Sequence, residues 1–150
     1  MIDAAGSGKI DDDAVKTLKS AGVEVRIELV VPGPIIDSKI SRLASRHSWD
    51  PLLEAGIEIH EYQPTMYHCK VMIIDGAWVS VGSTNFDERS FRLNSESNLN
   101  ILDAEFAAQQ KQVFKKDKKA SRRVVLSDWR ERPWGEKILE LAASLVSSQL

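Results

Sequence analysis

Apolar and polar residues follow two periods along this chain. Between Val23 and Val31 apolar side chains recur at every second position, with Val23, Val25, Ile27 and Leu29 on one face. That period predicts a strand, and Pro32-Gly33-Pro34 ends it. Ile57 to Tyr62 and Tyr67 to Asp75 predict two more strands. Asp75-Gly76 is a hairpin turn signal, Trp78 to Val81 returns as the partner strand, Gly82 to Asn85 follows as a loop, and Glu96 to Leu102 is another strand. Elsewhere the spacing is helical. After Asp11-Asp12-Asp13, Ala14, Val15, Leu18 and Ala21 share a face and Gly22 is a stop. Asp37 can cap a helix with Ile40, Leu43, Ala44 and His47 on one side, and Asp50-Pro51 opens a short helix ending at Gly56. Asp103 caps a long helix to about Lys116, along which lie Phe106, Gln110, Val113 and Phe114. Ser127-Asp128 starts a turn or short helix. Trp134 to Val146 is amphipathic, with Trp134, Ile138, Leu141, Ala142 and Leu145 on one stripe.

Strands alternating with helices predict an α/β fold, a layered mixed β-sheet flanked by helices. A length of 150 residues fits one domain. Residues 1–10 are polar and glycine-rich and read as a flexible start; residues 127–150 read as a basic, amphipathic helical tail.

Composition narrows the picture modestly. Apolar residues make up 43% and charged residues 28%, as in a globular protein with a substantial core. The formal net charge is −2, which argues mildly against a general nucleic-acid surface. The charge is uneven: residues 1–67 hold 7 basic and 11 acidic side chains, residues 103–150 hold 10 and 7. The single cysteine, Cys69, excludes an intrachain disulfide and a cysteine-rich metal site. No stretch approaches the roughly 18–20 apolar residues of a membrane span, and the first residues lack the pattern of a signal peptide.

The chemistry concentrates in Tyr67-His68-Cys69-Lys70-Val71-Met72-Ile73-Ile74-Asp75. His68 and Lys70 are two apart in an apolar run, so on a strand they share a face. Burying both is costly without partners. The partners come later in the chain: Asp75, then Gly82-Ser83-x-Asn85, then Glu96. In residue types and spacing this set resembles the signature of the phospholipase D superfamily. Ser83 to Asn94, with Arg89-Ser90-Phe91-Arg92-Leu93-Asn94, and the tail Asp128 to Trp134 are similar to the bacterial cardiolipin synthase branch. The resemblance covers about residues 22–150 and implies a phospholipase D-like half-domain.

What it implies chemically is a phosphodiester opened by histidine, through a phosphohistidine intermediate. His68 is the candidate nucleophile or general acid, and Glu96 the carboxylate that orients it. Lys70, Ser83 and Asn85 are candidate phosphate ligands, with preorganised donors of this kind worth roughly 3–4 kcal/mol each in the transition state. Asp75 and Gly82 belong to the motif but read as structural. Neither a metal nor an organic cofactor is expected, because the lysine and amide supply the positive field.

One His-x-Lys motif is half of a two-histidine site. His47 reads as a packing residue on a helix and His60 as a strand-end residue; neither has the motif's context. The second half would come from a second copy of the chain or from an N-terminal half. The leading expectation is therefore a phosphatidyltransferase of cardiolipin synthase type, peripheral on the cytoplasmic side of a membrane, with a phospholipid substrate. A homodimeric phosphodiesterase or nuclease is the alternative, with nucleic acid less favoured. A catalytically incomplete half-domain that binds anionic lipid or a partner is the third.

Weaker features stay open. The basic run Lys111, Lys115, Lys116, Lys118, Lys119, Arg122 and Arg123 meets anionic headgroups or is a solvated helix end. Trp129 to Leu150 lies in a membrane interface or packs on its own domain. Arg89 and Arg92 face a phosphate or pair with Glu88 or Asp87. Cys69, Trp49 and Trp78 read as core.

Overall fold

The computed structural model describes residues 2–5, 12–85 and 94–146. Seven strands form one mixed sheet in the order β6-β5-β4-β1-β2-β3-β7. They are β1 (Ile2–Ala5), β2 (Ile27–Pro32), β3 (Glu58–Tyr62), β4 (Val71–Ile74), β5 (Trp78–Gly82), β6 (Asn98–Leu102) and β7 (Ser121–Arg123). The described helices are α1 (Asp12–Ser20), α2 (Lys39–His47), α3 (Trp49–Glu54), α4 (Ala104–Lys119), α5 (Leu126–Glu131) and α6 (Trp134–Val146). β1, β2 and β3 are parallel, as crossovers through α1 and through α2–α3 require. β4, β5 and β6 form an antiparallel meander beside β1, and β7 closes the other edge antiparallel to β3.

Local chemistry explains most boundaries. Gly22 and Gly56 adopt φ of 79° and 83°, left-handed conformations that end α1 and α3. Asp103 caps α4 by accepting from Phe106 N at 2.7 Å, as expected from its sequence. α2 is capped one residue later than expected, by Ser38, whose side chain accepts from Ser41 N. At the β4–β5 hairpin Asp75 and Gly76 both have positive φ, 51° and 65°, and Ala77 N donates to Ile74 O at 3.1 Å, a primed turn.

The core has two layers. On one face Val15, Ile27, Leu29, Val31, Trp49, Leu52, Ile59 and Trp129 pack together, with the Trp49 and Trp129 rings 5.1 Å apart. On the other, Val30, Tyr67, Ile73 and Val79 pack under Ala107 and Phe114 of α4. Trp129 ties α5 into the body, so this part of residues 127–150 is core rather than tail.

Several expectations are corrected. Residues 2–5, expected as a flexible start, are β1 at the centre of the sheet. Four short residues carry no periodicity to read; pairing on both sides makes the strand. β2 begins at Ile27, not Val23, and β7 falls inside the basic run. His60 is a buried mid-strand residue paired to Val30 and Arg123, not a strand end. Trp49 is core as expected, but Trp78 is only half-buried.

The largest correction concerns α2 and α6, which pack on each other with their charged sides inward. Glu61 of β3 is fully buried and bonded by Arg42 and Arg46 of α2 and by Arg122 of β7. Arg46 also donates to Glu140 at 2.8 Å and Glu136 at 3.2 Å of α6, and Arg132 pairs with Glu140 at 2.6 Å. Burial opposes the Glu61 charge, but the three guanidinium groups outweigh it and hold its carboxyl below the usual range. Consequently Ile40 is exposed and Leu43 and Ala44 are only half-buried, and His47, expected to pack, is exposed at the helix end.

Candidate active site

Three strand ends meet at one edge of the sheet. β4 starts there, β5 ends there and β6 starts there, because the meander is antiparallel. His68 and Lys70 lie on the segment entering β4; Ser83 and Asn85 follow β5; Glu96 precedes β6. The fold thus places these five motif residues, though not Asp75, at neighbouring strand ends.

The segment carrying His68 lies outside the ladder, since β4 begins only at Val71. It is held at both ends. Tyr67 is buried against Tyr62, with ring centroids 4.7 Å apart, and its hydroxyl donates to Asp117 Oδ2 of α4 at 3.1 Å. Burial, with the nearby Asp117 carboxylate, pushes the Tyr67 phenol well up, so it stays a neutral donor. Lys70, 8% exposed, turns back so that Nζ donates to the His68 carbonyl at 3.3 Å. Between these anchors His68 is exposed. Cys69 is also exposed, against the expectation of a core residue: it lies two residues beyond the last paired residue of β4.

Gly82 is the hinge of the arrangement. Its N–H donates to Lys70 O at 3.2 Å, and it pairs with Asn98 across β6. A Cβ there would overlap Asn98 Oδ1 and the Ser97 carbonyl and stand 2.7 Å from Asn98 Cα. Only glycine lets the strands approach this closely. Just beyond, Ser83 N donates to Ser97 O at 3.0 Å, and Ser97 N donates to Ser83 Oγ at 3.1 Å. Ser83 Oγ thereby accepts one bond, and its hydroxyl proton can donate elsewhere. Two residues out along the three strands come His68, Thr84 and Glu96.

Asn98 and Thr84, which the sequence reading did not single out, brace the candidate site. Asn98 Oδ1 accepts from Thr84 N at 3.2 Å while Nδ2 donates to Ser80 Oγ at 3.3 Å, fixing the loop that carries Ser83 and Asn85. The available signal was alternation: Glu96, Asn98 and Asn100 are polar at every second position of one strand. Glu96 is half-buried, and Asn94 Nδ2 donates to it at 3.4 Å, a long bond. Asp75 sits at the far end of β4, exposed in its turn. Arg89 and Arg92, with Asp87 and Glu88, lie outside the described residues. Among the described residues no three His, Cys, Asp or Glu side chains converge as a metal site.

The basic run does not form one free surface. Lys118 bridges Glu28 at 2.8 Å and Glu58 at 3.2 Å, and Arg122 is bonded to Glu61.

This architecture is that of the phospholipase D fold. The Nuc protein of Salmonella typhimurium, a phospholipase D family member, superposes with a TM-score of 0.65 at 22% identity, over 83% of this chain and 81% of its own. Phosphatidylserine synthase of Haemophilus influenzae gives 0.66 at 15% identity, over 99% of this chain and 41% of its own. In sequence, a cardiolipin synthase from Geobacillus sp. strain WCH70 is 36% identical over 143 residues, 93% of this chain and 28% of that protein. The family profile for the cardiolipin synthase, PLD-like domain matches residues 8–118. The chain belongs to that family. It spans just over a quarter of the length of the curated relatives it matches.

Proposed function

We propose that this chain is the C-terminal catalytic half of a two-motif phosphatidyltransferase of cardiolipin synthase type. The observation that carries the reading is that His68, Lys70, Ser83, Asn85 and Glu96 flank adjacent strand ends on one side of the sheet, from three separate stretches of chain. The substrate is a phospholipid phosphodiester, phosphatidylglycerol or a relative, reached from the cytoplasmic side by peripheral contact with the membrane.

Two imidazoles share the reaction. One attacks phosphorus and forms a P–N bond; the P–O bond to the departing alcohol breaks, and that oxygen takes its proton from the other. The second imidazole then removes a proton from the acceptor alcohol, or from water, whose oxygen displaces the phosphohistidine. General acid–base help of this kind contributes about 10²–10⁴ in rate. His68 supplies one imidazole, and a second His-x-Lys motif, on an N-terminal half or a second copy, supplies the other. Glu96 fixes the His68 tautomer; Lys70, Ser83 and Asn85 hold the non-bridging oxygens.

The test is turnover on phosphatidylglycerol vesicles and on single-stranded DNA, by the chain alone and joined to an N-terminal half. The reading expects lipid turnover only with a second motif present and its loss in His68→Ala. An acid-labile phosphoryl label on His68 would make it the nucleophile. Turnover of DNA by a dimer of the chain alone would replace this reading with a homodimeric nuclease. No turnover in any assembly would leave a binding half-domain.

A further inference from the structure

We propose that the outward face of α6 is the surface by which this unit lies on an anionic phospholipid bilayer. The inference rests on the reading of a phospholipid substrate and names where the unit meets it.

α6 presents its faces the wrong way round for a core helix. Glu140 is fully buried and Ala143 is nearly so, while Trp134, Ile138, Leu141 and Leu145 are 78%, 61%, 49% and 76% exposed. Their spacing of four, three and four residues sets them on one stripe, about 16 Å long at 1.5 Å per residue. Leu139, also exposed, widens it. A continuous apolar surface of this kind marks an interaction site. Among the described residues α6 packs on α2, whose buried residue is Arg46.

Charge points to the occupant. The acids of α6 pair with arginines away from the stripe: Glu140 is buried on Arg46 and Arg132, and Glu136, half-exposed, pairs with Arg46 about 200° round the helix from Trp134. Lys137 lies over the Trp134 ring, 5.2 Å from its centroid. That places a cation and an indole together at the border of an apolar face, the pairing that suits the headgroup layer of an anionic membrane.

Position agrees. The rows Ala5↔Val30 and Ala5↔Val71 lie at one level, and one residue further out come Val31 with Glu61, and Lys70. Glu61 and Lys70 are thus level, three strands or about 14 Å apart. α2 covers Glu61 and carries α6, so the apolar face flanks the candidate phosphate site.

The experiment is flotation of the 150-residue chain with vesicles of equal parts phosphatidylcholine and phosphatidylglycerol, some carrying brominated acyl chains. Trp134 is the exposed indole; Trp49 and Trp129 are buried and Trp78 is half-buried. Docking predicts bound protein with bromine-quenched emission, and loss of that quenching but retained flotation in Trp134→Phe. The double change Ile138→Glu with Leu141→Glu should weaken binding about a hundredfold. Both positions are exposed, and an unchanged circular dichroism spectrum checks the fold. His68→Ala should float as the wild type does, which separates docking from turnover: lost turnover with retained docking leaves the surface standing. The proposal falls if the glutamate variant floats equally or if Trp134 is not quenched. It also falls if the wild type self-associates and the glutamates make it monomeric, or if α6 binds an N-terminal half and then no longer meets vesicles.

Discussion

Replacing Glu61 with Gln tests the physical account of the α2–α6 layer. The wild-type carboxylate is fully buried and accepts from Arg42, Arg46 and Arg122. Glutamine is nearly isosteric, but it loses the charge and turns one acceptor into an NH₂ donor facing guanidinium donors. Breaking a buried pair from one side costs about 3–5 kcal/mol, because the remaining charge stays uncompensated. Here Arg46 keeps Glu140, and Arg122, exposed on its own side, regains water. The lower end, about 3 kcal/mol, is therefore expected. At roughly 2–4 °C per kcal/mol for a chain of this size, the melting midpoint falls by about 6–12 °C. Urea unfolding followed by far-ultraviolet circular dichroism measures the free energy, and a temperature scan measures the midpoint. The pH dependence gives a second handle. The folded carboxyl titrates below its unfolded value, so the contribution is complete above the unfolded pKa, near 4.3, and vanishes as pH falls through the folded pKa. The gap between wild type and Glu61→Gln should close in strong acid. A loss under about 1 kcal/mol at pH 7, or a gap that persists in acid, would refute the assignment of Glu61 as the charge that turns both helices.

Two further predictions concern other parts of the sheet. Gly82→Ala should force β5 and β6 apart at the site, costing about 1–3 kcal/mol in urea unfolding and most of the turnover; normal stability would show the strands have slack. His60 is held below its ordinary pKa by burial and then by Lys118, so its contribution is complete above pH of about 6.5 and lost as pH falls through the folded pKa. His60→Gln should therefore show a smaller drop in urea midpoint between pH 7.5 and pH 5.5 than the wild type; equal drops would exclude His60 as the titrating group.

The alternation of strands and helices was legible because most elements carry their own period and their own stop. The motif was legible because its chemistry fixes residue types at fixed offsets, from His68 to Glu96. Other features were not legible, for particular reasons. β1 is too short to show a period and exists through its two neighbours. Cys69 was assigned inward by extending a strand two residues past its last pair. α2 and α6 were amphipathic as read, but an apolar stripe is inward only when the bed beneath is apolar. One buried carboxylate on β3 reverses that, and Glu61 in an otherwise strand-like run gave no sign of which helices it would capture.

The Asp75-Gly76 turn has a consequence for assembly. It lies five residues from Lys70, about 17 Å along β4, far from any reacting atom. Yet its paired positive φ values decide how β5 returns along β4, and so that Gly82 arrives level with Lys70. A slip of one residue would reverse the facing of every side chain on β5 and bring Val81 or Ser83 to that place. The motif's aspartate thus acts as a ruler: it measures out the strand that delivers Ser83 and Asn85, and errors at the turn would be read at the opposite end as lost chemistry.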